Sequence, residues 1–234
     1  MIIISLTSFK ARLPFIGLCL KTLYNQTLKA DKIVLTLYKD DIKYIPLTVK
    51  KDIENGKLEL LVCEEDVKSH NKYYYVMTKY PNDIIITVDD DMLYDNDIVS
   101  SLYESYLSYP NCIHARRVHR IIKGKPYNEW EHECHSILEP SMELFPTGCG
   151  SVLYPPNILD INSLDIKNIH ECICADDVLL KHLSFKKGIL TKWVANKKQL
   201  PTKNIFMSST PQLSDINVVN KKNDEYLQKF QVYE

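Results

Sequence analysis

The apolar residues of this chain fall into short runs of two alternating kinds. The first kind is continuous and rich in β-branched residues: Ile2–Leu6, Lys32–Tyr38 (KIVLTLY), Lys57–Cys63 (KLELLVC) and Ile84–Val88 (IIITV). These read as strands, and the last has no polar alternation, as expected of a sheet covered on both faces. The second kind has helical spacing. Pro14 to Asn25 puts Phe15, Leu18, Cys19 and Leu23 on or near one face, with Pro14 near its start. His70–Tyr80 reads as a helix stopped by Pro81-Asn82-Asp83, and Asn96–Ser108 spaces Ile98, Leu102 and Tyr106 helically. Ala175–Phe185 opens on Asp176-Asp177 and is followed by Gly188. Short strands are expected at Asn111–Arg116 and at the end of Pro146–Tyr154, where Pro155-Pro156 stops the second. Lys123–Glu139 reads as a loop, and from Lys192 on the chain is polar, weakly patterned and expected to pack on the surface. The alternation predicts an α/β fold built of βαβ units, with a mostly parallel central sheet flanked by helices.

Composition narrows the partners. The 234 residues suit one large domain over 1–234, with no internal repeat and no clean boundary. A net charge of −1 gives no global field for nucleic acid or an anionic membrane. Six glycines and fifteen tyrosines argue against a linker-rich chain. The seven cysteines form no C-x-x-C pair, so buried reduced thiols in a cytoplasmic protein are expected. The apolar run at Ile2–Ile4 is too short for a signal peptide, and no stretch approaches the roughly 20 residues of a membrane span.

One motif is costly on its face. Ile84–Val88 runs straight into Asp89, Asp90 and Asp91, three carboxylates that repel one another and resist desolvation. In open α/β sheets ligands bind beyond the carboxyl ends of the strands. Alternate carboxylates there can hold Mg²⁺ or Mn²⁺ shared with a substrate's phosphates. A solvated turn capping the next helix is the plainer alternative, but it needs no buried strand behind it. The pair Asp176-Asp177 is half explained by capping and the helix dipole, worth around 1 kcal/mol for one carboxylate; a catalytic reading stands beside the structural one.

Five segments carry a resemblance: IIISLTSFKARLP, NQTLKADKIVLTLY, HNKYYYVMTKYPNDIIITVDDDM, FPTGCGSVLYPPNIL and CADDVLLKHLSFKKG. Their order and spacing, from Met1 to Gly188, resemble the family-2 glycosyltransferases of the GT-A fold, a Rossmann-like nucleotide-diphospho-sugar transferase architecture. SLTSFKARLP and PTGCGSVLYPP are closer to a bacterial subgroup associated with surface polysaccharide synthesis. The resemblance implies an inverting transfer of a sugar from a nucleoside-diphosphate donor, UDP- or dTDP-linked, to a hydroxyl of a glycan or lipid-linked saccharide. It implies a nucleotide-binding half over about 1–95, an acceptor-binding half over about 96–190 and a tail over 191–234. A lipid-linked acceptor would bring the enzyme to the inner membrane face as a peripheral protein.

By the same resemblance, Asp91 is the direct ligand of Mn²⁺ or Mg²⁺, with Asp89 and Asp90 beside the donor ribose and the metal's water shell. Asp89 joins Asp91 as a metal-site candidate. Asp177 matches the general base, and Asp176 caps its helix or holds the acceptor. Thr7, Ser8, Arg12 and Tyr38 fall at the nucleotide pocket, and Lys72 near the donor phosphates. Gly148 and Gly150 let backbone approach the donor sugar or acceptor. Two departures stand out. The acidic residue that often follows the second strand is replaced by Tyr38-Lys39, with Asp40-Asp41 slightly later; Glu64-Glu65-Asp66 follows the third strand. No histidine lies beyond His182; Asn220, Asn223 or Asp224 could substitute for a C-terminal metal ligand, but surface packing of the tail is the preferred reading.

Rival readings attach to other residues. His132, Cys134 and His135, with Cys172 or Cys174, could build a zinc site, though the spacing matches no standard pattern. An acceptor-side loop with Trp130 stacking on a sugar is the preferred reading. A sugar nucleotidyltransferase would share the metal and diphosphate chemistry, but SLTSFKAR lacks the glycine-rich loop those enzymes usually carry. A catalytically silent sugar- or nucleotide-binding module would have no need of both carboxylate pairs.

Overall fold

The continuous apolar runs become the middle of one sheet. The computed structural model describes residues 1–195, 203–204, 222–230 and 232. In chain order its elements are β1 (Ile2–Thr7), α1 (Ile16–Tyr24), β2 (Lys32–Tyr38), α2 (Leu47–Glu54), β3 (Glu59–Cys63), α3 (Tyr74–Lys79), β4 (Ile84–Thr87), β5 (Met92–Leu93) and α4 (Ile98–Ser108). Then come β6 (Ile113–Ala115), β7 (Val118–Arg120), β8 (Leu144–Pro146), β9 (Val152–Tyr154), α5 (Ile166–Glu171), α6 (Asp176–Lys186), β10 (Thr191–Trp193), β11 (Lys203–Asn204) and α7 (Lys222–Lys229).

Seven strands form the central sheet in the order β10-β6-β9-β4-β1-β2-β3. All run parallel except β9, which is antiparallel to both β4 and β6. Alternate residues of the central strands serve opposite faces. Ile3, Val34 and Ile85 pack into one apolar cluster with Tyr73 and Val76. Ile4, Leu35 and Ile86 pack into another with Leu20 of α1 and Leu102 of α4. Each fully buried Ile or Leu contributes about 1.5–3 kcal/mol. The α/β fold with a mostly parallel, helix-flanked sheet is therefore present. No helix among the described residues is long and apolar enough to cross a membrane.

Several differences from the sequence reading stand out. Helices α2 and α5 are unexpected. The helix expected over His70–Tyr80 is a 3-10 turn over Lys68–Lys72 followed by α3. Phe15 and Leu18 are exposed rather than on the buried face of α1. The third strand starts at Glu59, because 55–58 turn, with Gly56 at φ 71°. The residues 123–139 hold one turn of 3-10 helix and otherwise loop. β7 and β8, three residues each, pair as a separate antiparallel ribbon. The tail does not simply lie on the surface: α7 docks through Leu227, with Phe230 and Val232 buried beyond it.

Candidate functional site

The strand ends of β1, β2 and β4, the 148–150 turn and the start of α6 converge on one cavity of about 1240 Å³. It is lined by Thr7, Ser8, Arg12, Tyr38, Lys72, Asp89, Asp90, Asp91, Gly150, Asp176 and Asp177, all singled out in the sequence. Gly148 lies against Lys72 and Asp177 at the same place.

The three aspartates have different surroundings. Asp90 is 5 % exposed and accepts from Ser8 Oγ at 2.5 Å and from an Arg12 N–H at 2.9 Å. Burial pushes its carboxyl up, against Arg12 and Ser8, which pull it down. Ser8 and Arg12, expected at the nucleotide, are thus engaged in holding Asp90. Arg12 also pairs with Asp91 at 3.1 Å. Even so, burial and the adjacent Asp89 push Asp91 up to about 6. Asp89 accepts from Lys72 Nζ at 2.7 Å. Thr7 donates its hydroxyl to the Thr36 carbonyl at 2.8 Å.

Lys72 connects the two acidic groups. Its ammonium is 2.7 Å from Asp89 and 2.8 Å from Asp176 Oδ2. Burial works to strip its proton, but Asp176, Asp89 and Asp177 outweigh it and hold the lysine charged. Asp176 is likewise pushed up by burial, yet Lys72 and His70 hold it below the usual carboxylate range. His70 is itself anchored, with one ring nitrogen 2.8 Å from Tyr73 Oη and the other 3.0 Å from the Cys172 carbonyl. Asp177 differs. Both its oxygens take the Gly148 N–H, at 3.0 and 3.1 Å, while burial and the neighbouring Asp176 push it up to about 7. One acidic pair on one helix turn thus holds a fixed anion and a carboxyl poised near neutrality.

The glycines serve this arrangement by close approach. A Cβ at Gly148 would stand 2.8 Å from Lys72 Nζ and 3.1 Å from Asp177 Oδ1. A Cβ at Gly150 would stand 2.9 Å from the Arg117 backbone nitrogen, so Gly150 admits protein backbone there rather than a ligand.

Asp89 and Asp91 supply hard oxygen ligands whose mutual repulsion raises Asp91, and a divalent cation would relieve it. Among the described residues no three His, Cys, Asp or Glu side chains gather as a metal cage. A cation here would complete its shell with phosphate oxygens and water, as Mg²⁺ commonly does. The zinc grouping disperses. His132 Nε2 lies 3.0 Å from the Tyr127 carbonyl, Cys134 is buried and His135 stacks on Trp193 at 4.9 Å. Trp130 does not line the cavity. It is 4 % exposed, packs edge-on against Phe145 at 5.4 Å and donates its indole N–H to the Lys125 carbonyl.

Sequence reasoning missed Arg116, Arg117, His119 and Tyr127, which line the cavity from the neighbourhood of β7. Arg116 pairs with Asp97 at 3.0 Å and Asp95 at 3.4 Å; Arg117 pairs with Glu133 at 3.0 Å. The adjacent arginines after the Asn111–Ala115 run were the available signal. Of the tail's candidates, Asn223 lines the cavity and Asp224 accepts from the Tyr127 N–H at 2.6 Å. Asn220 lies outside the described residues.

No family model matches the chain, and no curated protein matches it in sequence. Solved structures do match in fold. The structure of S. aureus TarS 1-349 in complex with UDP superposes with a TM-score of 0.57 at 10% identity, covering 84% of this chain and 58% of that one. This chain therefore spans less than two thirds of that structure. A putative glucose-1-phosphate thymidylyltransferase from Bacillus anthracis, in complex with a sucrose, gives 0.53 at 12% identity over 91% of this chain and 98% of that one. A cytidylyltransferase from Leptospira borgpetersenii gives 0.51 at 13% identity over 97% and 95%. At such identities the likeness establishes fold alone, an α/β architecture with a mostly parallel, helix-flanked sheet.

Proposed function

We propose that the chain is a metal-dependent, inverting glycosyltransferase of the family-2 GT-A type, using a UDP- or dTDP-linked donor and a saccharide hydroxyl as acceptor. The observation that carries this reading is the placement of Asp177, a carboxyl near neutrality, in one cavity with Asp89 and Asp91, the two groups bridged through Lys72 and Asp176. A base serves best with a pKa near the working pH.

Asp89 and Asp91 would hold Mn²⁺ or Mg²⁺, which when bound supplies charge neutralisation of the leaving diphosphate. Lys72 places a fixed positive charge beside that diphosphate and keeps Asp176 ionised. Asp177, aimed by the Gly148 N–H, accepts the acceptor hydroxyl's proton. The acceptor oxygen forms its bond to the anomeric carbon as the bond from that carbon to the diphosphate oxygen breaks. The nucleoside diphosphate departs with the electron pair.

A thermal-shift titration with UDP, GDP, dTDP and CMP, each with and without Mn²⁺, tests the donor site. Ligand at about 100 times its dissociation constant stabilises by about 2.7 kcal/mol, or roughly 5–10 °C for a chain this size. The expected result is a metal-dependent shift with UDP or dTDP, and no shift with any of the four would overturn the reading. The thymidylyl- and cytidylyltransferase likenesses favour a second reading, nucleotidyl transfer. Pyrophosphate release from a nucleoside triphosphate and a sugar phosphate would select it, whereas slow donor hydrolysis without acceptor selects glycosyl transfer. Binding with neither reaction would leave a silent module.

A further inference from the structure

One wall of the cavity is built of rings. His119 of β7, Phe145 of β8, and Tyr127 and His132 between them all line it. The two histidine rings lie 4.3 Å apart, and Tyr127 meets His132 edge-on at 5.3 Å. The aromatic contacts continue behind the wall through Trp130, 5.1 Å from Tyr127.

Two polar side chains at this wall are unmatched. Tyr127 and Asn223 are each 8 % exposed, and both line the cavity. Neither the Tyr127 hydroxyl nor the Asn223 amide has a hydrogen-bond partner among the described residues. Neither polar atom is sealed from solvent, so both reach the cavity and are free to meet the hydroxyls of a ligand there. The two are held together by a neighbouring contact: the carboxylate of Asp224, next to Asn223, accepts the Tyr127 backbone N–H at 2.6 Å. Helix α7 is further pinned by the buried Leu227 and by the pair of Lys229 with Glu171 at 3.2 Å. Burial and the charge of Asp177 both push the Tyr127 hydroxyl up, so it stands in the field of that carboxylate.

The chemistry of the occupant follows. An amide and a phenol each offer a donor and an acceptor, which suits neighbouring hydroxyls. The exposed His132 ring, edge-on to Tyr127, suits the apolar C–H face of a pyranose. Carboxylates outnumber ammonium and guanidinium groups among the described residues lining the cavity, so an acceptor with its own negative charge is disfavoured. We propose that Tyr127 and Asn223 form an acceptor subsite for an uncharged sugar ring, with the C-terminal helix supplying Asn223 as a specificity-determining residue. This rests on the glycosyl-transfer reading.

The test measures binding of methyl glycosides of glucose, galactose, mannose and N-acetylglucosamine by saturation-transfer NMR, with UDP and Mn²⁺ present. Glucose 6-phosphate and methyl glucuronide serve as charged probes. Wild type, Tyr127→Phe and Asn223→Ala are compared. The expected result is that at least one neutral glycoside binds more tightly than either charged probe. Each variant then weakens it about fivefold to tenfold while keeping the UDP-dependent thermal shift. Tyr127→Phe preserves the ring, so it reads the hydroxyl alone. The proposal is overturned if wild type binds UDP but no neutral glycoside, or if a charged probe binds best. Variants that bind the glycoside as wild type does, or that lose UDP binding in parallel, also overturn it. Failure of wild type to bind any nucleoside diphosphate is a different result, and it strikes the glycosyl-transfer reading instead.

Discussion

Asp177 concentrates the residue-scale argument, because stability and activity pull on it in opposite directions. Its folded pKa of about 7 lies above the unfolded value of about 3.9. Between those values the folded chain binds more protons than the unfolded one, so this group's contribution to stability is full below about pH 4 and is lost as pH rises through 7. In the proposed mechanism transfer needs the ionised form, so the rate should climb with pH through about 7 and then level. Asp177→Asn should therefore melt no lower than wild type at pH 8 while transfer falls by about 10²–10⁴. An Asn variant with undiminished transfer removes the base from the mechanism. The glycines allow a second comparison. Gly150→Ala drives a methyl into Arg117 backbone and should lower the melting temperature clearly. Gly148→Ala meets the tip of Lys72 and the carboxylate of Asp177, so its loss should appear mainly in transfer. Equal melting temperatures for the two alanine variants would contradict this division.

Helix α6 shows why an element does more than present its first turn. Lys181 is 1 % exposed and donates to the Met142 and Leu144 carbonyls at 2.8 and 2.9 Å, tying α6 to β8. Burial pulls its pKa down to about 7. The unfolded chain then binds more protons between pH 7 and about 10.4, so stability should rise with pH across that window. Urea unfolding of wild type and Lys181→Met at pH 7 and 9.5 checks it: the wild-type gain should shrink in the variant, and equal gains would refute the assignment. Elements also differed in how legible they were. Lys32–Tyr38 is a strand over those same residues, because an unbroken apolar run in a two-sided sheet has little else to be. Helix α2 was not foreseen, since LTVKKDIE buries only Val49 and so has no apolar stripe to read. Strands β7 and β8 are too short for any period to register, and 23 residues, 121–143, separate them in sequence. Trp130 misled because an aromatic amid EWEHECHS reads as exposed, whereas Phe145 arrives from a distant strand to cover it.

At the scale of the whole molecule, the cavity joins parts whose roles were unequally visible. The carboxylates sat in short motifs, and local adjacency was enough to find them. Tyr127, Arg117 and Asn223 are brought to the cavity by long-range packing, and for Tyr127 no local pattern points there. Helix α7 buries only Asn223 and Leu227 of its eight residues, so its polar sequence reads as surface. Yet Leu227, Phe230 and Val232 share one cluster with Tyr127, Trp130 and Phe145. The carboxylate side of the cavity, at the ends of β1, β2 and β4, draws on the sheet instead. Leu227→Ala should thus cost about 2–5 kcal/mol locally. If α7 opens as a unit of its own, that cost falls on the ring wall and spares the strand ends. The expected outcome is raised hydrogen exchange across α7 and the 127–134 loop, unchanged exchange in β1 and β4, and a preserved UDP- and Mn²⁺-dependent thermal shift. A uniform rise in exchange over the whole sheet would show that α7 is part of the global fold rather than a separable wall of the site.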